Sequence, residues 1–169
     1  MPSKQGKNRM STVNQAALDA MAAYFFRVAE TFNLPRSVAA IYHTLFVAEE
    51  ALSFTQIVEN SGLSKASAST GLKLLERMLA VEVAHIPNDR NTYYRPELSL
   101  RRVAAGFLQQ TLLPGLEAGG RVLEAAPGDD EAQLSEHLQG RLSSLQSWHA
   151  TSRDLLPIFA TLGNLEVPD

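Results

Sequence analysis

The chain has 169 residues, enough for about one domain with a helical extension, and its 45% apolar content is too high for a disordered protein. The formal net charge of −3 by itself argues against a nucleic-acid partner, because such proteins are usually basic on the binding surface. The charge is unevenly distributed, however: residues 1–110 carry 12 basic and 9 acidic side chains, whereas residues 111–169 carry 3 and 9. The two parts of the chain therefore need separate explanations.

Several classes of function are disfavoured by composition. The sequence has no cysteine, which excludes disulfides, thiolate zinc sites and cysteine nucleophiles and fits a cytoplasmic protein. We find neither the apolar core of a signal peptide nor a run of 18 apolar residues. The four histidines lack zinc-ligand spacing, and no Ser-His-Asp pattern, phosphate loop or dinucleotide-binding glycine motif is present. We therefore expect no enzyme, metal or cofactor.

The N-terminal third is predicted to form a tail and two helices. Residues 1–11 are polar and are predicted to be a mobile tail. Thr12 and Gln15 make a capping box, and apolar residues then recur every three or four positions to about residue 33. Pro35 opens a second helix that reaches about Ala48. Its predicted buried residues are Val38, Ile41, Tyr42, Leu45 and Phe46.

A helix–turn–helix and a hairpin follow. Ser53 and Gln56 form a capping box for a short helix that ends at Gly62, and Ser64 caps a longer helix reaching about Met78. The short separation of the two helices is typical of a helix–turn–helix. Alternation over 81–86, loop residues over 87–91 and a β-prone segment over 92–95 then predict a β-hairpin. This order is that of a winged helix.

The last third returns to helix at Ser99. Pro114 and the Gly119-Gly120 pair predict a kinked or short helix, and Pro127-Gly128 predicts a break. Asp130 and Gln133 start a last helix that Pro157 bends or ends. Its apolar positions are Leu134, Leu138, Leu142, Leu145, Trp148, Leu155, Phe159 and Leu162.

The predicted fold class is mainly α with a small β-hairpin wing. A winged helix–turn–helix domain covers residues 34–97, between an N-terminal helix over 12–33 and C-terminal helices over 98–169. Long terminal helices with apolar stripes have too little partner surface in so small a domain, so we expect them to join two copies in a homodimer. The two recognition helices would then lie about 34 Å apart, one turn of DNA.

The second helix of the pair has the character of a DNA-recognition helix. On a helical wheel Ala68, Leu72, Leu75 and Leu79 face the core. The opposite face holds Ala66, Thr70, Lys73 and Arg77, with Ser69 at its edge. Small side chains permit close approach to base edges, and basic ones can contact phosphates, as could Ser64 and Ser67 at the helix start. The alternative is an ordinary solvated helix face.

Arg90 at the predicted hairpin tip is placed to enter a minor groove, where the negative potential is strongest. Asp89 beside it could hold the guanidinium in position. The alternatives are a solvated arginine and an ordinary turn aspartate.

Three segments resemble the GbsR-like branch of the MarR transcriptional regulators: Leu34-Pro35-Arg36-Ser37, the run from Gly62 to Ser69, and the run from Pro87 to Tyr94. The resemblance covers roughly residues 30–96 and implies a homodimer that binds a pseudo-palindromic operator, usually as a repressor. Some members of that branch respond to small molecules such as choline-like osmolyte precursors, so the resemblance also implies a small-molecule effector for this chain. One departure is that Leu79 or Ala80 stands where the family usually has glycine, which leaves the wing angle open.

Together these observations predict a double-stranded DNA partner. The candidate DNA-binding residues are Arg36, Ser64, Lys65, Ala66, Ser67, Ser69, Thr70, Lys73, Arg77, Asn88, Arg90 and Asn91. The alternative function is a winged-helix module for protein–protein contact without an operator, which would not need Lys65, Lys73, Arg77 and Arg90 to converge.

The aromatic residues offer a candidate effector site. Tyr24, Phe25, Phe26 and Trp148 could line a pocket for a small-molecule effector, because two or more rings around one point bind a quaternary amine. At helical spacing, however, core packing is the more common role of such residues.

Overall fold

The computed structural model describes residues 4–87, 89–126 and 135–161, with side chains for the part of these ranges between 14 and 155. Contacts divide the chain into an N-terminal unit, Met1–Glu76 with Ala80–Leu98, and a C-terminal unit, Arg77–Leu79 with Ser99–Asp169. Helices dominate both, and the N-terminal unit adds a three-stranded sheet. The predicted fold class, a winged helix with additional terminal helices, is confirmed. In the described part of the chain, no helix combines the length and apolar character of a membrane span.

Helix α1 runs from Lys4 to Thr31, so the capping box predicted at Thr12 is wrong. Most of the predicted tail is helical, because Lys, Gln, Arg and Met are good helix formers; residues 1–3 lie outside the described part. The helix ends with Asn33 in the left-handed region (φ 52°). The Leu34 N–H donates to the Ala29 carbonyl at 2.8 Å and the Asn33 N–H to that of Glu30 at 3.1 Å. This is a Schellman ending, which asparagine tolerates better than most residues.

The helix–turn–helix forms as predicted. Helix α2 spans Arg36–Phe46, α3 Phe54–Ser61 and α4 Lys65–Arg77. Ser53 and Gln56 form both halves of the capping box of α3, and Gly62 follows that helix at φ 68°. The Ser64 hydroxyl caps α4 by accepting the Ser67 N–H at 3.2 Å. The predicted core residues of α2 are buried except Phe46, which is half-buried.

Three antiparallel strands form the sheet, in the order β1-β3-β2. Strand β2 spans Val81–Ala84 and β3 spans Tyr93–Pro96, so the predicted hairpin is present with its strands shorter or shifted by one or two residues. The pairs run from Val81 opposite Pro96 to Ala84 opposite Tyr93. Strand β1, Leu52–Ser53, was not predicted, because two residues are too few to show alternation.

The end of α4 differs from the prediction. Leu79 was expected in the core, but it is 53% exposed and adopts the left-handed conformation at φ 57°. The Ala80 N–H donates to the Leu75 carbonyl at 2.9 Å across it. The helix therefore ends in the geometry that glycine favours, at a cost of roughly 1–2 kcal/mol for a residue with a Cβ.

The C-terminal unit contains α5 (Leu100–Phe107), a π-helical turn (Leu108–Leu112), α6 (Leu113–Glu124) and α7 (Glu136–Thr161). The interruption comes before Pro114 and not at Gly119-Gly120, which lie inside α6. A wider turn just before a proline accommodates its missing N–H. Helix α7 continues past Pro157, so the proline does not end it. The break and cap predicted over 127–133 lie outside the described residues, as does Leu134.

Two glycines permit close packing within the C-terminal unit. A Cβ added to Gly106 of α5 would clash with the Met78 carbonyl oxygen, and one added to Gly120 of α6 would clash with the His149 ring on α7. Gly115 and Gly119 have open space at the same position. The Gln146 amide also donates to the Leu123 carbonyl at 3.4 Å, which joins α7 to α6.

Candidate nucleic-acid interface

Helix α4 presents the face that its sequence predicts. Ala68, Leu72 and Leu75 are buried, and Ser69 at the edge is half-buried. The exposed residues of the helix are Lys65, Ala66, Ser67, Thr70, Lys73 and Arg77. A helix with small residues along an exposed face can approach base edges closely.

The charged residues on this face have one sign. Lys65, Lys73 and Arg77 are exposed, whereas Glu76, the acidic residue of α4, is half-buried on another side of the helix. Clustered lysine and arginine attract nucleic-acid phosphates, and their neutralisation releases counterions from the duplex. This part of the molecule is basic although the chain as a whole is acidic.

A groove lies beside the exposed face of α4, at the start of α2. Its volume is about 300 Å³. It is lined by Pro35, Ser37, Val38, Ala66, Ser67, Thr70, Gly71 and Leu74. The two helices come this close because Gly71 has no side chain: a Cβ there would lie 2.5 Å from Cδ1 of Ile41. The first turn of α2 therefore borders the candidate recognition face.

The first turn of α4 is internally hydrogen-bonded. Ser64 Oγ accepts the Ser67 N–H, and the two hydroxyls lie 3.0 Å apart in a hydrogen bond. The backbone amide of Ser67, one of the candidate phosphate contacts, is thus already engaged with Ser64. Both hydroxyls remain exposed.

The wing tip is organised by Asp89. Its Oδ1 accepts the Asn91 N–H at 2.9 Å and its Oδ2 accepts the Tyr93 hydroxyl at 2.7 Å. The hydrogen bond from Tyr93 and then that from the Asn91 backbone hold the pKa of the Asp89 carboxyl below its usual value. These contacts are those of an ordinary turn aspartate, the alternative role named above, and the hold of Asp89 on the Arg90 guanidinium stays a prediction. Arg90 and Asn91 are exposed, and Asn88 lies outside the described residues.

Arg36, the first residue of α2, is held by α1. Its guanidinium carbon lies 4.8 Å from the centre of the Phe26 ring, and its Nη1 lies 3.8 Å from Oε1 of Glu30. The other carboxylate oxygen of Glu30 lies 3.6 Å from Nη1 of Arg27. The side chain of Arg36 is nevertheless 76% exposed.

The candidate effector residues have different environments. Phe25 is buried in an aromatic cluster, with ring centres 5.1 Å from both Tyr42 and Phe46, so core packing is its role. Tyr24 is more than half exposed in the same unit, and Trp148 is exposed on α7 of the C-terminal unit. Phe26 is half-buried under Arg36. The effector pocket stays a prediction.

Comparisons with known proteins agree with the fold. No protein-family model and no curated protein matches the sequence. A solved structure of a transcriptional regulator is 20% identical and superposes with a TM-score of 0.57 over 87% of this chain and 93% of that one. Its likeness shows the fold. A MepR mutant of S. aureus bound to an oligodeoxyribonucleotide is 14% identical, with a TM-score of 0.41 over 85% of this chain and 96% of that one. NMB1585, a MarR family regulator from Neisseria meningitidis, is 18% identical, with a TM-score of 0.37 over 90% and 98%.

Sequence reasoning found the α4 face and the wing tip but missed the surroundings of Arg36. Phe26 and Glu30 are four residues apart, so they share one face near the end of α1. That spacing indicates that the two side chains can contact the same partner. It does not by itself predict that the chain turns at Asn33 and brings Arg36 back onto the same face.

Proposed function

We propose that this protein is a sequence-specific DNA-binding transcriptional regulator of the MarR type that works in the cytoplasm, and that α4 enters the major groove of its operator. The observation that carries the proposal is the exposed face of α4, where Ala66 and Thr70 leave room for base edges and Lys73 and Arg77 supply positive charge. Lys73 is the strong hydrogen-bond donor among its central positions, so it is the candidate for base contact.

The wing supports the same proposal. Arg90 is exposed at the tip of a loop that Asp89 ties to Tyr93, so the loop is ordered before it meets DNA. An arginine on an ordered tip loses less conformational freedom on binding. We infer that Arg90 enters the minor groove and that Asn91 and Asn88 contact the backbone beside it.

We further propose a homodimer that binds a pseudo-palindromic operator, in the manner of the GbsR-like branch. Helix α7 carries large apolar side chains that are at least half exposed, which are Leu138, Leu145, Trp148 and Leu155. Successive spacings of seven, three and seven residues place them along one side of the helix. An exposed apolar stripe of this length is typical of a surface that a partner covers. Repression and its release by a small-molecule effector belong to the same proposal.

Selection of duplexes from a random-sequence library by the wild-type protein tests the function. We expect an enriched motif with two related half-sites, and binding that weakens steeply as salt rises. Lys73→Ala and Thr70→Ala should weaken binding of the selected duplex by about 1–3 kcal/mol and relax the motif. Arg90→Ala should weaken binding and reduce the slope of log affinity against log salt by about 1.

The matched control is Arg121→Ala, which removes one exposed positive charge from α6. It should leave affinity and motif nearly unchanged. Failure to enrich any motif, with the same affinity for the wild type and the α4 variants, would assign the winged helix to protein–protein contact instead.

A further inference from the structure

The side chain of Arg36 lies between two groups of α1 at the edge of the candidate DNA interface. Phe26 packs on the guanidinium, with 4.8 Å from its ring centre to Cζ, and Glu30 lies at one end of it, 3.8 Å from Nη1. All three residues belong to the N-terminal unit. Neither the α4 face nor the wing accounts for this arrangement.

The position of Arg36 connects it to the recognition helix. Its chain neighbours Pro35 and Ser37 line the groove whose opposite wall is formed by Ala66, Ser67 and Thr70 of α4. A duplex that contacts those α4 residues passes over the start of α2. An arginine at that point can reach the sugar-phosphate backbone, which accepts at least half of the hydrogen bonds in protein–DNA interfaces.

The guanidinium still has donors for a phosphate. It carries five N–H groups in a plane, and its neighbour Phe26, 4.8 Å from Cζ to the ring centre, has no oxygen or nitrogen acceptor to occupy them. The 3.8 Å separation from Glu30 is longer than a hydrogen bond, and both side chains are more than half exposed, so the ion pair is weak. A phosphate can therefore replace Glu30 as the partner of Arg36.

Arg27 makes this exchange easier. It contacts the other oxygen of Glu30 at 3.6 Å, so the carboxylate keeps a cationic partner when Arg36 leaves it. The group of Arg27, Glu30 and Arg36 carries one net positive charge, so it attracts a phosphate even while the ion pair is formed.

We propose that Arg36 is a DNA-backbone contact whose affinity for phosphate is set by α1: Phe26 orients its guanidinium, and Glu30 competes with the DNA for it. The proposal rests on the proposed function and adds to it a route by which the position of α1 changes DNA affinity. A shift of α1 that brings Glu30 closer weakens binding, and one that withdraws it strengthens binding.

The test measures the affinity of full-length variants for two labelled 30-base-pair duplexes, one selected by the wild-type protein and one of random sequence. Arg36→Ala should weaken binding to both by about tenfold near 0.1 M salt and lower the salt slope by about 1. Arg36→Lys should recover part of the affinity through its charge, without the stacking on Phe26. Phe26→Leu should weaken binding roughly two- to fivefold.

Glu30→Gln gives the decisive result. It should strengthen binding roughly two- to fivefold in the wild-type background and have no effect when combined with Arg36→Ala. The same gain in both backgrounds would overturn the competition, because the carboxylate would then act only through its general repulsion of DNA. Arg27→Ala removes an arginine that pairs with Glu30 but does not adjoin the groove; it should weaken binding less than Arg36→Ala does and should leave the salt slope at that of the wild type.

The outcomes separate the two proposals. If the wild-type protein binds neither duplex, the proposed function is wrong. If it binds DNA and Arg36→Ala binds with the same affinity and salt slope, the function stands and Arg36 is not a contact. Thermal unfolding of each variant distinguishes loss of affinity from loss of fold.

Discussion

Gly106 shows how a single residue permits a close contact between two segments of the C-terminal unit. It sits in α5 against the backbone of the turn that ends α4, close enough that a Cβ would overlap the Met78 carbonyl oxygen. Backbone has little freedom to move away, unlike the end of a flexible side chain. The absence of a side chain at this position is therefore required by the tertiary structure, and the α5 sequence itself gives no sign of it.

Gly106→Ala should accordingly lower the free energy of unfolding by about 1–3 kcal/mol, the usual range for overpacking a tight contact. Gly119→Ala is the control, because a Cβ there meets open space and alanine is the better helix former by up to about 1 kcal/mol. Urea unfolding measures both. Equal effects of the two substitutions would contradict the close approach.

Tyr42 gives a prediction for alkaline pH. Its hydroxyl donates to the Glu97 carbonyl, and burial, together with the nearby Glu97 charge, raises its pKa to about 12. A pKa raised above the unfolded value of about 10 stabilises the fold below pH 10, and this stabilisation is lost as the pH rises from 10 to 12. Two pKa units correspond to about 2.7 kcal/mol.

Tyr42→Phe tests this prediction. At pH 7 the variant should be about 1 kcal/mol less stable, because the Glu97 carbonyl loses its partner. The deficit should shrink and reverse between pH 10 and 12, since phenylalanine cannot ionise. The other titrating groups are common to both proteins and cancel in the difference. Parallel stability curves across this range would show that Tyr42 does not titrate as expected.

At the scale of elements, the positions of helix ends and loop tips determine where the candidate DNA-contacting side chains lie. Leu79 ends α4 in a left-handed conformation although it is neither glycine nor asparagine. The sequence indicates where α4 stops, and the structure shows that Leu79 adopts there the left-handed conformation that glycine favours. The chain must enter β2 at Val81, two residues later, and the left-handed turn allows this.

The wing tip is held by hydrogen bonds to one side chain, that of Asp89. The pKa of the Asp89 carboxyl is lowered in the folded protein. The stabilisation that its ionised form contributes is therefore present above about pH 4 and is lost as the pH falls through the folded pKa. The pKa of the Tyr93 hydroxyl is raised, mainly by the hydrogen bond to Asp89. The stabilisation that the neutral hydroxyl contributes is therefore present below about pH 10. The pair should therefore remain bonded between about pH 5 and pH 9.

Tyr93→Phe should release the loop at all pH values in this window, and backbone NMR relaxation at Arg90 and Asn91 measures the change. The wild type should show a rigid Asn91 amide at pH 5, 7 and 9. Tyr94→Phe is the matched control, because the pKa shift of Tyr94 arises from burial and Glu76 and not from Asp89. An equally rigid tip in Tyr93→Phe would contradict this role.

For the whole molecule, the distribution of charge and of apolar surface matters more than their totals. The net charge of −3 hides a helix, α4, whose exposed charges are all basic. Within the described residues, the large apolar side chains of α7 similarly remain about half exposed. Both features have a purpose if the molecule binds DNA through one region and a second copy through another.

The proposed dimer predicts that Leu145→Glu lowers the association state. We expect the wild type to be a dimer at micromolar concentration and the variant to be largely monomeric, because a charge placed in an apolar interface is strongly unfavourable. Ser147→Glu adds the same charge on α7 away from the stripe and should remain dimeric. Sedimentation or light scattering of the three proteins decides, and a monomeric wild type would remove the dimer from the proposal.

The order of the helices and of the two hairpin strands, the capped helix–turn–helix, and the buried and basic sides of α4 can all be predicted from the amino-acid sequence. These features follow from periodicity and capping, which act over a few neighbouring residues. The early start of α1 at Lys4 escaped, because the capping signal at Thr12 competes with a run of good helix formers. Strand β1 escaped because it is too short for a pattern.

The groups that surround Arg36, the hydrogen-bond partners of Asp89 and the need for glycine at close approaches become visible only in the folded chain. Each depends on the path of the chain through a turn and on distances between separate segments, which residue spacing does not contain. Arg36 and Asp89 were both singled out in the sequence, but the contacts of Arg36 with Phe26 and Glu30 and those of Asp89 with Asn91 and Tyr93 were not predicted. Residue type and pattern identify the candidate interface. The contacts of Arg36 with α1, and of Asp89 with Tyr93 on β3, determine how these two charged side chains are held.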